Sequence, residues 1–241
     1  MSYLGLEKLE IKTMNDLRLE KLSEVIDISC VKSNHTLEDL NQMIAAANKY
    51  KFICAFALPS MTPYLIENLK GKSSTRVGGT VGFPSGCDTT ESKVFQAGQL
   101  LEMGCDELDM VINITQLKIH NDEFVYQDIK AVVDTAQGIP VKTILEVTLL
   151  TEEEIITACR IAERAGAAFI KTGTGWCSEP TGVQHIKLIK SVIGPRTKIK
   201  AAGGIRNLSG LLEMQKAGCD RFGISVNSAL HIMEEAEKAM R

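Results

Sequence analysis

The chain has 241 residues with 27 basic and 30 acidic side chains and no long run of either sign, so it carries no electrostatic footprint for nucleic acid or an anionic membrane, while a small anionic substrate stays possible. The seven cysteines are scattered, odd in number and lack a C-x-x-C pair, which argues against a zinc site and a disulfide framework and for a reducing, cytoplasmic setting. No stretch approaches the roughly 20 apolar residues of a membrane span, and the first residues are too charged for a signal peptide, so a soluble protein is expected.

Residues 1–23 come first, and the apolar spacing of Leu6–Leu22 predicts one or two extra helices ahead of the first strand. From there a short β-branched run, a loop rich in Gly, Pro or Ser and an amphipathic helix alternate to the end of the chain. That alternation signals parallel strands with crossover helices. The runs Glu24–Val31, Lys51–Phe56, Arg76–Val81, Glu107–Asn113, Val141–Val147, Ala168–Thr172, Thr197–Ala202 and Arg221–Ser225 are the predicted strands. Helix signals fall between them: Thr36-x-x-Asp39 and Thr151-x-x-Glu154 resemble capping boxes, Thr62 precedes Pro63 as an N-cap, and Gly104, Gly166 and Gly218 stand as terminators. Eight strands predict an α/β fold of one domain over 1–241, a closed (β/α)8 TIM barrel with an N-terminal helical extension over its bottom.

In such a barrel the chemistry sits at the C-terminal ends of the strands. Lys171 ends the apolar run Ala167-Ala168-Phe169-Ile170 and opens Lys171-Thr172-Gly173-Thr174-Gly175, and Lys200 stands in the same setting one βα unit later, before Ala201-Ala202-Gly203-Gly204. Two converging ammonium groups disfavour each other's charge and desolvation adds to this, so one becomes a neutral amine near pH 7. Strand alternation puts Glu107, Asp109 and Asn113 on one face. An acid, Asp109, between Lys171 and Lys200 is a set for imine chemistry, and its structural counter-reading is a buried ion-pair network. Glu107, Lys142 and Lys198 read as a structural charge cluster deeper in the barrel.

The loops Gly203-Gly204-Ile205-Arg206 and Gly223-Ile224-Ser225 follow the last two strands, where barrels present backbone N–H groups to a phosphate, and Thr172 with Gly173 and Gly175 lies on the neighbouring loop. Asp27 and Ser29 alternate on the first strand as candidate contacts to a substrate hydroxyl, and Cys54 reads as a pocket wall. The histidines at 35, 120, 185 and 231 lack metal-ligand spacing and read as surface or packing residues.

With these residues in view, the chain resembles the deoxyribose-phosphate aldolases, class I barrel aldolases, over nearly its whole length from the first strand onward. The segments carrying the resemblance are Asp106-Glu107-Leu108-Asp109-Met110-Val111-Ile112-Asn113, Phe169 to Gly175, Lys198 to Arg206, Val81 to Gly86 and Val141 to Glu146. It implies that Lys171 forms the Schiff base, that Lys200 lowers its pKa and that Asp109 joins the proton relay. It further implies cleavage of 2-deoxy-D-ribose 5-phosphate to acetaldehyde and D-glyceraldehyde 3-phosphate, no metal or organic cofactor, and a homodimer or larger assembly. The chain departs from the family pattern in its first strand, which reads Ile26-Asp27-Ile28-Ser29-Cys30-Val31 and lacks the usual histidine. It departs again after Ser225, where Val226 replaces a second serine. These changes keep two other readings open: a lysine aldolase for another phosphorylated sugar or donor, and a non-catalytic sugar-phosphate-binding barrel. A phosphate-binding isomerase or decarboxylase is a third.

Overall fold

The computed structural model describes residues 19–241. The predicted N-terminal extension therefore lies outside the described residues except for its end, where Leu19 and Leu22 are buried in the core.

Eight strands close in sequence order into a parallel barrel. They are β1 (Ile26–Cys30), β2 (Cys54–Ala57), β3 (Arg76–Val81), β4 (Glu107–Val111), β5 (Val141–Ile144), β6 (Phe169–Lys171), β7 (Lys198–Ala202) and β8 (Arg221–Ser225). Between them lie α1 (Leu37–Tyr50), α2 (Thr62–Leu69), α3 (Thr90–Met103), α4 (Ile114–Lys118), α5 (Asp122–Thr135), α6 (Glu152–Arg164), α7 (Val183–Val192) and α8 (Leu208–Lys216), and α9 (Val226–Ala239) closes the chain.

The helices begin and end for local reasons. Thr36 and Thr151 both form full capping boxes, with Asp39 and Glu154 returning the bond to the cap N–H, each worth about 1 kcal/mol to its helix. Gly104 closes α3 in the left-handed region at φ 101°, where a Cβ would cost the most. Two boundaries differ from the sequence reading. Thr62 is the first residue of α2 rather than its cap. Lys51 closes α1 at φ 58°, so β2 starts only at Cys54.

Strand alternation sorts the side chains. Ile28, Ala55, Val77, Leu108, Met110, Ile170, Ile199, Phe222 and Ile224 join the apolar core with the helices. The opposite face fills the barrel, and there Asp27, Glu107, Asp109, Lys142, Lys171, Lys200 and Arg221 are all buried. Register fixes their heights: Asp109 pairs with Lys142, Ile144 with Lys171, and Lys171 with Lys200. The interior is thus an ionic core in an apolar shell, and removing one member of a matched pair leaves an uncompensated charge.

Candidate active site

Asp109 is the centre of the constellation. Its Oδ2 accepts from Lys171 Nζ at 2.7 Å and from Lys200 Nζ at 2.6 Å, and its Oδ1 accepts from Lys142 Nζ at 2.9 Å. Burial works against its charge, but Lys142, Lys171 and Lys200 together outweigh burial and hold the carboxyl well below its ordinary value of 3.8. Below it, Lys200 reaches Asp27 Oδ2 at 2.6 Å, Lys142 reaches Glu107 Oε2 at 2.6 Å, and Arg221 Nη2 bridges Asp27 at 2.7 Å and Glu107 at 2.9 Å. The Phe56 ring lies 4.3 Å from Lys200 Nζ and 4.6 Å from Lys142 Nζ, so its negative face supports both cations where water is excluded. Gly78 on β3 leaves room for that ring, because a Cβ there would collide with it.

Charge balance singles out Lys171. The three buried carboxylates are matched by Lys142, Lys200 and Arg221, which leaves the Lys171 ammonium in surplus. Burial lowers its pKa most, Asp109 opposes, and Lys200 and Lys142 lower it further, so that it falls from 10.5 to about 8. Lys142 goes the other way, raised because Asp109, Asp27 and Glu107 overcome its burial. Among these lysines the side chain of Lys171 is the most open, at 9% exposure against 0% and 1% for Lys142 and Lys200.

Lys171 opens into a cavity of about 240 Å³. Of the residues singled out in the sequence, Asp27, Ser29, Lys171, Gly175, Lys200, Gly203, Gly204, Gly223 and Ser225 line it. Asp109 lies just beneath, held to Lys171. Three others stand elsewhere. Cys54 pairs with Asp27 on the neighbouring strand and is fully buried, off the cavity wall, and burial together with Asp27 and Glu107 pushes its thiol well above the usual range. Thr172 alternates away from Lys171 and bonds β7, accepting from Ala202 N at 2.9 Å and donating to Ala202 O at 3.0 Å. Gly173 makes space for a carboxylate, since a Cβ would stand 2.7 Å from Glu146 Oε1. Glu146, at φ 57°, accepts from the Thr174 N–H at 3.1 Å and from its hydroxyl, which fixes the loop after Lys171.

The predicted deep cluster also changes membership. Lys142 touches Asp109 directly and belongs to the central network, whereas Lys198, the first residue of β7, is exposed at the barrel bottom. Asn113 caps α4 through Gln116 N instead of continuing the β4 face. Sequence reasoning passed over cavity residues Lys32, Thr80 and Ser228, gave the side chains of Thr174 and Arg206 no role within their glycine-rich loops, and placed His35 among surface or packing residues although it lines the cavity. Ser228 Oγ lies 3.1 Å from Ser225 Oγ, so the first turn of α9 brings a second hydroxyl to the place where Val226 lacks one.

Among the described residues one donor group has metal-like spacing, Asp27, Cys54 and Glu107. It does not suit a cation: both carboxylates already face fixed positive charges, and the thiol is held protonated.

Gly223 sets the position of Lys200, because a Cβ would stand 3.0 Å from Lys200 Cε and 3.1 Å from Ala202 Cβ. Gly223→Val is expected to push the Lys200 ammonium off Asp109, let the Lys171 pKa rise, and move the ascending limb of the pH–rate profile up by about one unit. An unmoved limb would show that Lys200 does not set the Lys171 proton affinity.

A parallel barrel with a desolvated lysine at its mouth and glycine-rich loops after its last two strands fits one class of enzyme, the barrel aldolases. The chain belongs to the DeoC/LacD family of aldolases, whose model matches residues 22–227. It is 43% identical over 214 residues to a deoxyribose-phosphate aldolase of Sinorhizobium medicae, covering 89% of this chain and 86% of that protein. It is 40% identical over 213 residues to one from Methanothermobacter thermautotrophicus, covering 88% and 94%. Among solved structures it superposes on the deoxyribose phosphate aldolase of Aeropyrum pernix, described as a tetramer, with a TM-score of 0.84 at 29% identity, covering 95% of this chain and 97% of that one. The protein is therefore an aldolase, a carbon–carbon lyase.

Proposed function

We propose that the chain reversibly cleaves 2-deoxy-D-ribose 5-phosphate to acetaldehyde and D-glyceraldehyde 3-phosphate through a Schiff base on Lys171. The observation that carries this reading is the burial of Lys171 at the cavity floor, where it and Lys200 meet on one Asp109 oxygen; burial first, then the neighbouring ammonium groups, bring its pKa down to about 8 against the pull of Asp109. At neutral pH a usable fraction of that amine is free to attack C1 of the open-chain sugar. Loss of water gives an iminium, an electron sink for the C2–C3 bond. Asp109, charged and touching both amines, takes and returns protons as the carbinolamine dehydrates, the 3-hydroxyl is deprotonated and the enamine is protonated. Hydrolysis then frees acetaldehyde and returns the amine.

The phosphate is assigned to the β7 and β8 ends. There the backbone of Gly203 and Gly204, both in the left-handed region at φ 100° and 83°, adjoins Gly223, Ser225 and Ser228, and the start of the 14-residue α9 adds its positive dipole end. Binding there holds C1 near Lys171. Asp27 and Ser29 face the same cavity from β1 and are assigned to sugar hydroxyls. Metal independence follows from this reading, since the imine supplies the electron sink. The names of the relatives support the substrate, and the tetrameric relative supports a homo-oligomer. None of the helices among the described residues is long and apolar enough to cross a membrane, and free cysteines suit a cytoplasmic location.

Borohydride reduction in the presence of acetaldehyde, followed by peptide mass analysis, tests the mechanism. A reduced two-carbon adduct on Lys171 is expected. Protein that turns over the sugar phosphate yet carries the adduct on another lysine, or none, would overturn the assignment.

A further inference from the structure

Thr80 is a cavity residue for which the Schiff-base mechanism has no use. It sits on β3, is 1% exposed, and lines the cavity beside Phe56 and Phe83. Its hydroxyl has no hydrogen-bond partner. Among the described residues it is the one neutral cavity-lining side chain with a buried polar atom left unpaired. Valine would fill the same strand position without that unsatisfied group. A hydroxyl kept there fits a ligand atom, and it can either donate to that atom or accept from it.

Its place in the barrel says which atom. In a closed ring of eight strands β3 stands directly across from β7 and next to β4, and the Thr80 Cα pairs with that of Asp109. The phosphate is assigned to the β7 and β8 ends, so Thr80 meets the end of the sugar remote from phosphate, where C1 joins Lys171 and C2 follows. In the 2-deoxy sugar C2 carries only hydrogen, and Thr80 Oγ1 gains nothing from it.

We propose that Thr80 makes the donor end of the cavity polar, so that the enzyme also uses a two-carbon donor bearing a 2-hydroxyl, glycolaldehyde, and cleaves the corresponding aldopentose 5-phosphate. This rests on the Schiff-base reading of Lys171. Lys171 condenses with C1 and water leaves. The C2–C3 bond breaks with its electron pair passing into the iminium, and the 3-hydroxyl proton goes to Asp109 as C3 becomes the aldehyde of glyceraldehyde 3-phosphate. The enamine, now bearing the 2-hydroxyl, is protonated at C2, and one water hydrolyses it to glycolaldehyde. The water lost on condensation is regained here, and no oxidant or reductant is needed.

The test measures kcat/KM for acetaldehyde and for glycolaldehyde in the synthetic direction, with D-glyceraldehyde 3-phosphate as acceptor, in the wild type, Thr80→Val and Thr80→Ser. Pentose phosphate is expected from glycolaldehyde in the wild type. Thr80→Val should lower the glycolaldehyde value about tenfold more than the acetaldehyde value, the scale of one neutral hydrogen bond. Thr80→Ser should retain the glycolaldehyde activity. Wild type that uses acetaldehyde and not glycolaldehyde overturns the proposal, as does a Thr80→Val enzyme that loses both donors in equal proportion. Wild type inactive with both donors and unlabelled by borohydride at Lys171 would instead sink the aldolase mechanism, and this proposal with it.

Discussion

Lys171→Arg is expected to lose at least about 10⁴-fold in kcat/KM and to trap no adduct on borohydride reduction. Arginine fills similar space and can still reach Asp109, but a guanidinium stays protonated at any working pH and cannot act as the neutral nucleophile. In the wild type, kcat/KM should climb about tenfold per pH unit up to roughly pH 8 and then level, because the reactive form is the free amine. The same group also governs stability. Its folded pKa of about 8 lies below its ordinary 10.5, so between these values the unfolded chain binds more protons and stability rises with pH. Below pH 8 the folded protein bears the full cost of the buried ammonium, of the order of 3 kcal/mol at about 1.4 kcal/mol per unit. Lys171→Met, which removes that charge, should therefore melt higher than the wild type at pH 7 while being inactive. A lower melting temperature for the methionine variant would show that the ammonium is well accommodated, and the case for a neutral amine would fall.

Asp109→Asn should damage both catalysis and folding. The substitution keeps the shape but removes the charge on which three lysines converge. A loss of about 10²–10⁴ in kcat is expected from removal of the proton relay. Chemical denaturation at pH 7 should show a loss of about 3 kcal/mol, since Lys142 and Lys200 would be left short of a counter-charge. The sign with pH is fixed by the direction of the shift. The Asp109 carboxyl is depressed well below 3.8, so its contribution is present above that value and is lost as pH falls towards the folded value. The asparagine variant should lack this acid-side dependence. Near wild-type stability at pH 7 would mean that the other carboxylates carry the network alone.

Much of this architecture can be read from the chain because it rests on local signals. The strands are β-branched runs, and the helix starts at Thr36 and Thr151 are short-range hydrogen-bond patterns. The alignment of Asp109, Lys171 and Lys200 follows from where each falls in its strand together with the rule that barrel chemistry gathers at strand ends. What escaped depends on closure of the ring. Period-two alternation cannot separate Lys142 from Lys198, because both face inward; only the register shows that Lys142 meets Asp109 while Lys198 begins its strand at the solvent-facing bottom. Cys54 likewise faces inward but stands one layer below Phe56, and Thr172 is turned outward by its adjacency to Lys171. The left-handed conformations of Lys51 and Glu146 have no compositional signal, since neither residue type favours them. Lys32, His35 and Arg206 arrive on loops, where no periodicity exists to say which way a side chain turns.

The loop after β1 and the loop after β6 are fastened to each other. Trp176 Nε1 donates to Val31 O at 2.8 Å, Lys32 Nζ donates to Gly175 O at 2.7 Å, and the Lys32 ammonium lies 4.9 Å from the Trp176 ring centre. Grafting a foreign segment between β1 and α1 to widen substrate scope would thus disturb the peptide that begins at Lys171 itself. Redesign of the entrance on this scaffold has to treat these two distant stretches of chain as one part.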